Sequence, residues 1–365
     1  MAVRAEGPDF SLDCSRGDQG SGTVDFGETV TPPSRDPPGM HQWAAYLRPS
    51  HEPVPMSRST PRLLAFLAPI VLVGCAGTPS VTVAPSIATS PTVSPPKPTP
   101  PPKKRVTSRK ANLKGRVLIL EYHKIAAKEA RWDRSIKSFR RDLERLYKLG
   151  FRPVTLAEYL DGDMKLPPGA SPVVFTFDDS HPSQFHLLED GRIDPNCAVG
   201  IMQSFGLKHP DFPTKATFYV LPNMVFGNRK TFDKKLEYLK AWGCEIGSHT
   251  MSHSNLKKMT DEQVKAEIGG SIDWLRSHGI EPRTMAFPYG VPPKNEGLLK
   301  GFTWQGKEYK LDAAVMVGAV PARVTSDAKH HRYRLPRVQG IDGALGLHNW
   351  LDKYKKGRWE PYVEP

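Results

Sequence analysis

Two adjacent carboxylates, Asp178 and Asp179, and two imidazoles four residues apart, His249 and His253, are the side chains of this sequence best suited to hold a cation and act on water. The β-rich run Ser171-Pro-Val-Val-Phe-Thr-Phe177 reads as a short buried strand. The carboxylates therefore stand at its C-terminal end, where α/β folds place their chemistry. Like charges side by side repel, and a nearby cation removes the objection by favouring the charged form of both. Without such a cation, the pair reads as a solvated strand–loop junction. His249 and His253 follow a second strand-like run, Cys244-Glu-Ile-Gly-Ser-His249. On one helical turn or a tight loop that spacing lets two imidazoles converge on one ion. Two nitrogens and one carboxylate oxygen leave a coordination position open for water, the arrangement expected of catalytic zinc. The spare carboxylate is then free to act as general base.

The elements that must position these groups alternate along the chain. Arg116-Val-Leu-Ile-Leu-Glu-Tyr-His123 reads as a first strand. Ile136, Phe139, Leu143, Leu146 and Leu149 recur at helical spacing before Gly150, which ends an amphipathic helix. Phe151–Thr155 returns as a strand and Leu156–Leu160 as a short helix. Beyond the Asp pair come strands at Lys215–Leu221, Cys244–His249, Thr284–Phe287, Leu311–Val317 and Tyr333–Val338. Between them lie helices at Lys234–Trp242 and after the capping box Thr260-Asp-Glu-Gln263. Alternation of this kind predicts an α/β domain with a parallel, closable sheet. The proline- and glycine-punctuated stretch 181–214 reads as a loop-like insertion, with the length of a functional or lid-like element.

Thr176-Phe-Asp-Asp179, His249-Thr-Met-Ser-His253 and Phe287-Pro-Tyr-Gly290, in that order, resemble the polysaccharide deacetylase (NodB-homology) family of carbohydrate esterases. The resemblance spans roughly Arg116 to Trp350. It implies a distorted (β/α) barrel and a divalent metal, Zn2+ or Co2+, used to remove acetyl groups from glycans. Asp178 would be the general base, Asp179, His249 and His253 the metal ligands, and the Tyr289 backbone N–H a donor to the oxyanion. The substrates implied are N-acetylated polymers such as peptidoglycan, poly-N-acetylglucosamine or a chitin-like glycan. An O-acetyl xylan esterase and a non-catalytic glycan-binding lipoprotein are the alternatives, and the complete Asp-Asp-His-His set argues against the second of these.

Three positions depart from the family pattern. Ser180 follows the Asp pair where glycine is common. Ala286 occupies the place of an arginine that orients the base, and Arg337, in Leu335-Pro-Arg-Val338, is the candidate replacement, with a surface arginine as its alternative. The closing Leu-x-His motif has its nearest match, offset by a residue, in Gly346-Leu-His348. His348 is therefore the candidate general acid, with His330, His331 and His181 as competitors.

The remaining sequence concerns location. Residues 1–55 lack periodicity, are rich in Gly, Pro, Ser and Asp, and read as a disordered or non-native extension. Residues 56–75 carry a basic start, the apolar run Leu63–Val73 and small residues, which is a secretory signal pattern beginning at Met56. Leu72-Val-Gly-Cys75 resembles the lipobox of bacterial lipoproteins, implying a lipid anchor at Cys75 and a place on the outer face of the cell membrane or envelope. Residues 76–111 form a Pro-rich basic linker, and 112–365 the deacetylase domain. The chain carries +13 overall, yet ten basic and no acidic residues fall between Met56 and Leu120. That excess lies in a segment unsuited to folding, and no nucleic-acid motif accompanies it, so no nucleic-acid partner is expected. A monomer is expected. Cys197 and Cys244 remain as a disulfide or as two free thiols.

Overall fold

Parallel strands covered on both faces need apolar residues at consecutive positions, and the central strand of this protein supplies them. The computed structural model describes residues 106–365. The 1–55 extension, the signal with Cys75, and the linker up to residue 105 lie outside the described residues. Val106, Thr107 and Arg109 are already bonded into the domain, through Pro168, Gly169 and Ser171.

Eight parallel strands carry the architecture: β1 (Leu118–Tyr122), β2 (Phe151–Val154), β3 (Ser171–Phe177), β4 (Thr217–Val220), β5 (Glu245–Ser248), β6 (Thr284–Ala286), β7 (Ala313–Val315) and β8 (Val338–Gln339). Their order is β7-β6-β5-β4-β3-β1-β8, with β2 also paired to β3. β2 takes the first half of β3, Phe151 opposite Ser171, and β4 takes the second, Phe177 opposite Phe218. One edge thus serves two strands, and the sheet is distorted there. The path also returns on itself. Leu335 bridges to Val315 of β7, and three residues later Val338 pairs with Leu120 of β1. This is the distorted (β/α) barrel.

Side-chain alternation divides the strands into two layers. Leu118, Leu120, Tyr122, Val173, Phe175, Phe177 and Phe218 pack in one cluster with the helices. Those helices are α1 (Ile136–Lys148), α3 (Ala198–Lys208), α4 (Phe232–Ala241) and α6 (Leu347–Lys355), with Leu275 of α5 (Asp261–Ser277), whereas Leu156, Tyr159 and Leu160 of α2 (Leu156–Asp161) lie in the other cluster. The alternate residues Val117, Ile119, Val174, Tyr219, Ala286, Ala313, Val315 and Leu335 form the opposite cluster. Continuing the second series up the strands brings Glu121, Thr176, Asp178 and Arg337 to the C-terminal end of the same layer. The apolar layer therefore supports a polar one.

Helix starts follow their sequence signals. Thr260 and Gln263 form the capping box of α5, and Thr155 with Glu158 forms another at α2. The stretch 181–214 is not the loop-like element its composition predicts. Its prolines and Gly191 lie outside α3, whose Ala198, Val199, Ile201 and Met202 are buried in the core. Tyr333–Val338 likewise yields only a two-residue strand, because Arg332–Arg334 make a 3-10 turn first. Cys197 and Cys244 are free. Cys197 Sγ caps α3 by accepting from Gly200 N, and burial pushes the Cys244 thiol up to about 12.

A buried polar knot fastens α1 and α6 to β1. Asp142, fully buried, accepts two bonds from Arg134 (2.9 and 2.6 Å) and one from Tyr122 Oη at 2.9 Å. Arg145 donates to His348 Nδ1, so the ring proton sits on Nε2 and is donated to Asp142 Oδ1 at 2.6 Å. Removing the carboxylate would strand the Arg134 charge, which is 2 % exposed. Asp142→Ala should therefore lower unfolding stability by about 3–5 kcal/mol in urea titrations, while Asp352→Ala, at an exposed ion pair with Arg145, should cost under about 1 kcal/mol.

Candidate active site and metal centre

Asp178 follows β3 with its side chain directed into the polar layer. Its backbone N–H donates to Tyr122 O at 3.0 Å and its carbonyl accepts from Gln184 Nε2. Both carboxylate oxygens are gripped by the Arg337 guanidinium, Nη1 to Oδ1 and Nη2 to Oδ2, each at 2.7 Å. Arg337 is itself fixed by Met316 O (2.8 Å) and Thr176 Oγ1 (3.0 Å) and is fully buried. Burial opposes ionising Asp178. The Arg337 charge and its hydrogen bonds outweigh that and hold the carboxyl below its ordinary range. The arginine missing at position 286 thus has a spatial replacement from the strand that closes the barrel.

Asp179 turns the chain at φ +74 and Ser180 continues at φ +49. Glycine tolerates that region more readily than serine does. Here the serine hydroxyl accepts from Leu221 N at 3.2 Å and lies 3.3 Å from Leu221 O, while Phe226 N donates to Ser180 O at 2.7 Å. The hydroxyl supplies contacts to the end of β4 that a glycine lacks.

His249 and His253 lie in a tight loop, not on a helix. Thr250 (φ +68) and His253 (φ +58) are both left-handed. Glu267 of α5 accepts from Met251 N and Ser252 N, and Thr250 Oγ1 accepts from His253 N. Nine non-glycine residues among those described have positive φ, and five of them, Asp179, Ser180, Thr250, His253 and Tyr289, lie in these loops. Backbone strain is therefore concentrated where the side chains converge.

The metal fit rests on an orphaned nitrogen. His249 Nδ1 donates to Ala286 O at 2.9 Å, so Nε2 carries the lone pair. That Nε2 is buried without a hydrogen-bond partner and faces Asp179 Oδ1 at 3.3 Å. Lone pair against carboxylate is unfavourable unless a positive charge lies between them. His253 Nε2 approaches the same oxygen at 3.5 Å, and the three ligand atoms lie within 4.8 Å of one another. Burial foremost pulls His253 down to about 4, which favours the neutral form that ligates. Glu121, His123 and Asp178 form a second group of the same reach. Asp178 has already committed both oxygens to Arg337, and that guanidinium would repel a cation, so the first group is the better metal site.

Tyr289 is 59 % exposed at this site, with its ring centred 4.8 Å from the His253 ring. Its backbone sits at φ +60, and its N–H donates to no backbone acceptor among the described residues. Gly290 follows at φ +67, where a Cβ would meet Val317 N at 2.5 Å.

His348 is not brought to this group. It sits on α6 in the Asp142 knot, because the Gly346–Leu347 match lies at the start of that helix and not on a strand. Among its competitors, His330 and His331 line a separate cavity, and His181 lies beside the Asp loop with Nδ1 on Ser183 Oγ at 2.9 Å. The histidine that does face the base is His123, whose Nε2 is 3.9 Å from Asp178 Oδ2 and whose ring packs against Trp132. Its signal in the sequence was its place at the C-terminal end of the first strand. Glu121 was also missed. It is buried beside Arg337 Nη2 at 3.3 Å, with neither oxygen hydrogen-bonded, and burial pushes its pKa up.

Comparison with known proteins agrees with this arrangement. Residues 165–300 match the family model for polysaccharide deacetylase. No curated protein matches the chain. Among solved structures, the Streptococcus pyogenes deacetylase PplD in complex with acetate is similar over 69 % of this chain and 100 % of its own, at 18 % identity and a TM-score of 0.51. BC0361, a polysaccharide deacetylase from Bacillus cereus, covers 62 % of this chain and 65 % of its own at 18 % identity and a TM-score of 0.46. IcaB from Ammonifex degensii covers 67 % and 95 % at 20 % identity and a TM-score of 0.43. The matched range holds Asp178, Asp179, His249, His253 and Tyr289, while His123 and Arg337 come from outside it. Residues 165–300 of this chain thus match a polysaccharide deacetylase domain, which supports a deacetylase enzyme.

Proposed function

We propose that this enzyme removes acetyl groups from an N-acetylated polysaccharide of a cell wall or extracellular matrix, releasing acetate. The observation that carries this reading is the pairing of two differently treated carboxylates at one strand end. Asp178 is held ionised by Arg337, and Asp179 is turned toward two imidazoles.

Asp179, His249 and His253 would hold a divalent ion, zinc or cobalt. When bound, that ion supplies a polarising charge at the acetyl carbonyl and a water of lowered pKa. Asp178 takes the proton from the attacking water, and Arg337 keeps its oxygens aimed while it does so. The Tyr289 N–H is free to donate to the oxygen that gains charge in the tetrahedral intermediate. His123, 3.9 Å from Asp178, is the histidine suited to return a proton to the leaving sugar nitrogen. The exposed Tyr289 ring offers a face for the sugar. The protein is further proposed to be exported and held at the outer face of the membrane by lipid on Cys75, as a monomer.

Asp178→Asn should reduce kcat by roughly 100-fold or more while retaining the metal, whereas His253→Ala should bind metal far more weakly. Metal content after dialysis, read beside acetate release from N-acetylglucosamine oligomers and acetylated xylan, checks both roles and the substrate. Equal metal loss in the two variants would overturn the division of labour. His123→Ala should depress kcat by roughly 100-fold with little change in thermal midpoint. His348→Ala should do the reverse, losing stability and keeping turnover. For the anchor, Cys75→Ala should move the protein from the membrane to the soluble fraction, and unchanged partitioning would refute the lipid attachment.

A further inference from the structure

A cavity of about 440 Å3 lies where α6 meets the barrel wall, and none of its lining belongs to the deacetylase site. Its lining includes Arg116, Arg323, His330, His331, Trp350 and Trp359. Its volume lies in the range of small-ligand pockets, roughly 300–1,000 Å3.

The polar groups are unevenly satisfied. Arg323 is tied to Asp327 at 2.7 Å. Arg116 has no hydrogen bond or ion pair from its side chain among the described residues, and its charge reaches Asp327 only through space. Two arginines against one aspartate leave a positive charge over. His330 Nε2 is buried with no partner. The aromatic groups are the converse, with their polar atoms already used. Trp350 Nε1 donates to Ala319 O at 2.9 Å and Trp359 Nε1 to Trp350 O at 2.7 Å, so the indoles offer the cavity ring surface. The two rings meet edge to face at 83°.

We propose that this cavity is a second carbohydrate site, specific for a sugar that bears a carboxylate. Indole surface takes the C–H face of a pyranose, and the Arg116 guanidinium takes the carboxylate in a forked, charge-assisted pair. A neutral sugar would leave Arg116 uncompensated, and a small anion would leave the indole surface uncovered. The site stands independently of the acetyl chemistry and gives the enzyme a hold on acidic residues of a polymer away from the reacting one.

Calorimetric titration of the full chain with glucuronate, N-acetylglucosamine, acetate and inorganic phosphate tests this. Glucuronate should bind at least roughly tenfold more tightly than each of the other three. Arg116→Gln should weaken glucuronate by roughly tenfold with an unchanged circular dichroism spectrum, and Trp359→Leu should weaken it as well. His253→Ala should leave glucuronate binding intact. No detectable heat, or equal binding of N-acetylglucosamine, acetate or phosphate, would overturn the proposal. So would an unaffected Arg116→Gln variant, or loss of binding in His253→Ala, which would put the sugar at the metal centre instead. If Trp359→Leu fails to fold, the Arg116→Gln and His253→Ala results decide the matter.

Discussion

The forked ion pair between Arg337 and Asp178 is the constraint on which the rest of this structure turns. A carboxylate that is 2 % exposed would surrender its charge without a partner. The partner cannot come from β6, where position 286 is alanine. It comes instead from the residue just before β8, the strand that joins both open edges of the sheet. The segment that closes the barrel is therefore also the one that keeps Asp178 ionised. The same segment bonds β7 through Leu335 and β1 through Val338, so the guanidinium is held from both sides as well as by Met316 O.

Around this pair the chain keeps opposite charge demands apart. Asp178 and Asp179 are neighbours in sequence, and the left-handed turn at Asp179 sends their side chains to different partners. One meets a permanent cation of the protein, and the other meets neutral nitrogen donors. That separation resolves the repulsion that makes adjacent buried carboxylates unfavourable. It also explains why strain gathers here. Ser180, Thr250, His253 and Tyr289 all sit in conformations that side chains disfavour, and each is retained by bonds or packing from a neighbouring element.

Much of this was legible in the residues. The alternation of strands and helices gave the barrel, the capping box gave α5, and the two short motifs named the three side chains that converge, Asp179, His249 and His253. Arg337 could be nominated because it lay at a predicted strand end. The failures have physical causes. Motif spacing points to His348, but spacing does not say which face of a chain a residue occupies, and a helix start carries it to the Asp142 knot. His123 escaped because its partner lies 55 positions away and no local pattern links them. The 181–214 stretch was read by its prolines, which bound α3 without entering it. Glu267 and Gln184, which hold the active loops in place, are ordinary polar residues until the fold brings them near.

The late position of Arg337 has a consequence for how the protein comes into being. A chain made from its N-terminus acquires Asp179 first, then His249 and His253, and has all three proposed ligands some eighty residues before the arginine exists. Until the final strand docks, the neighbouring carboxylate has no cation to face and no reason to stay charged in a forming core. A partly made or C-terminally clipped molecule would hold the three proposed ligands without the arginine that keeps Asp178 charged. The last strand is thus the final part of the polar layer to be supplied.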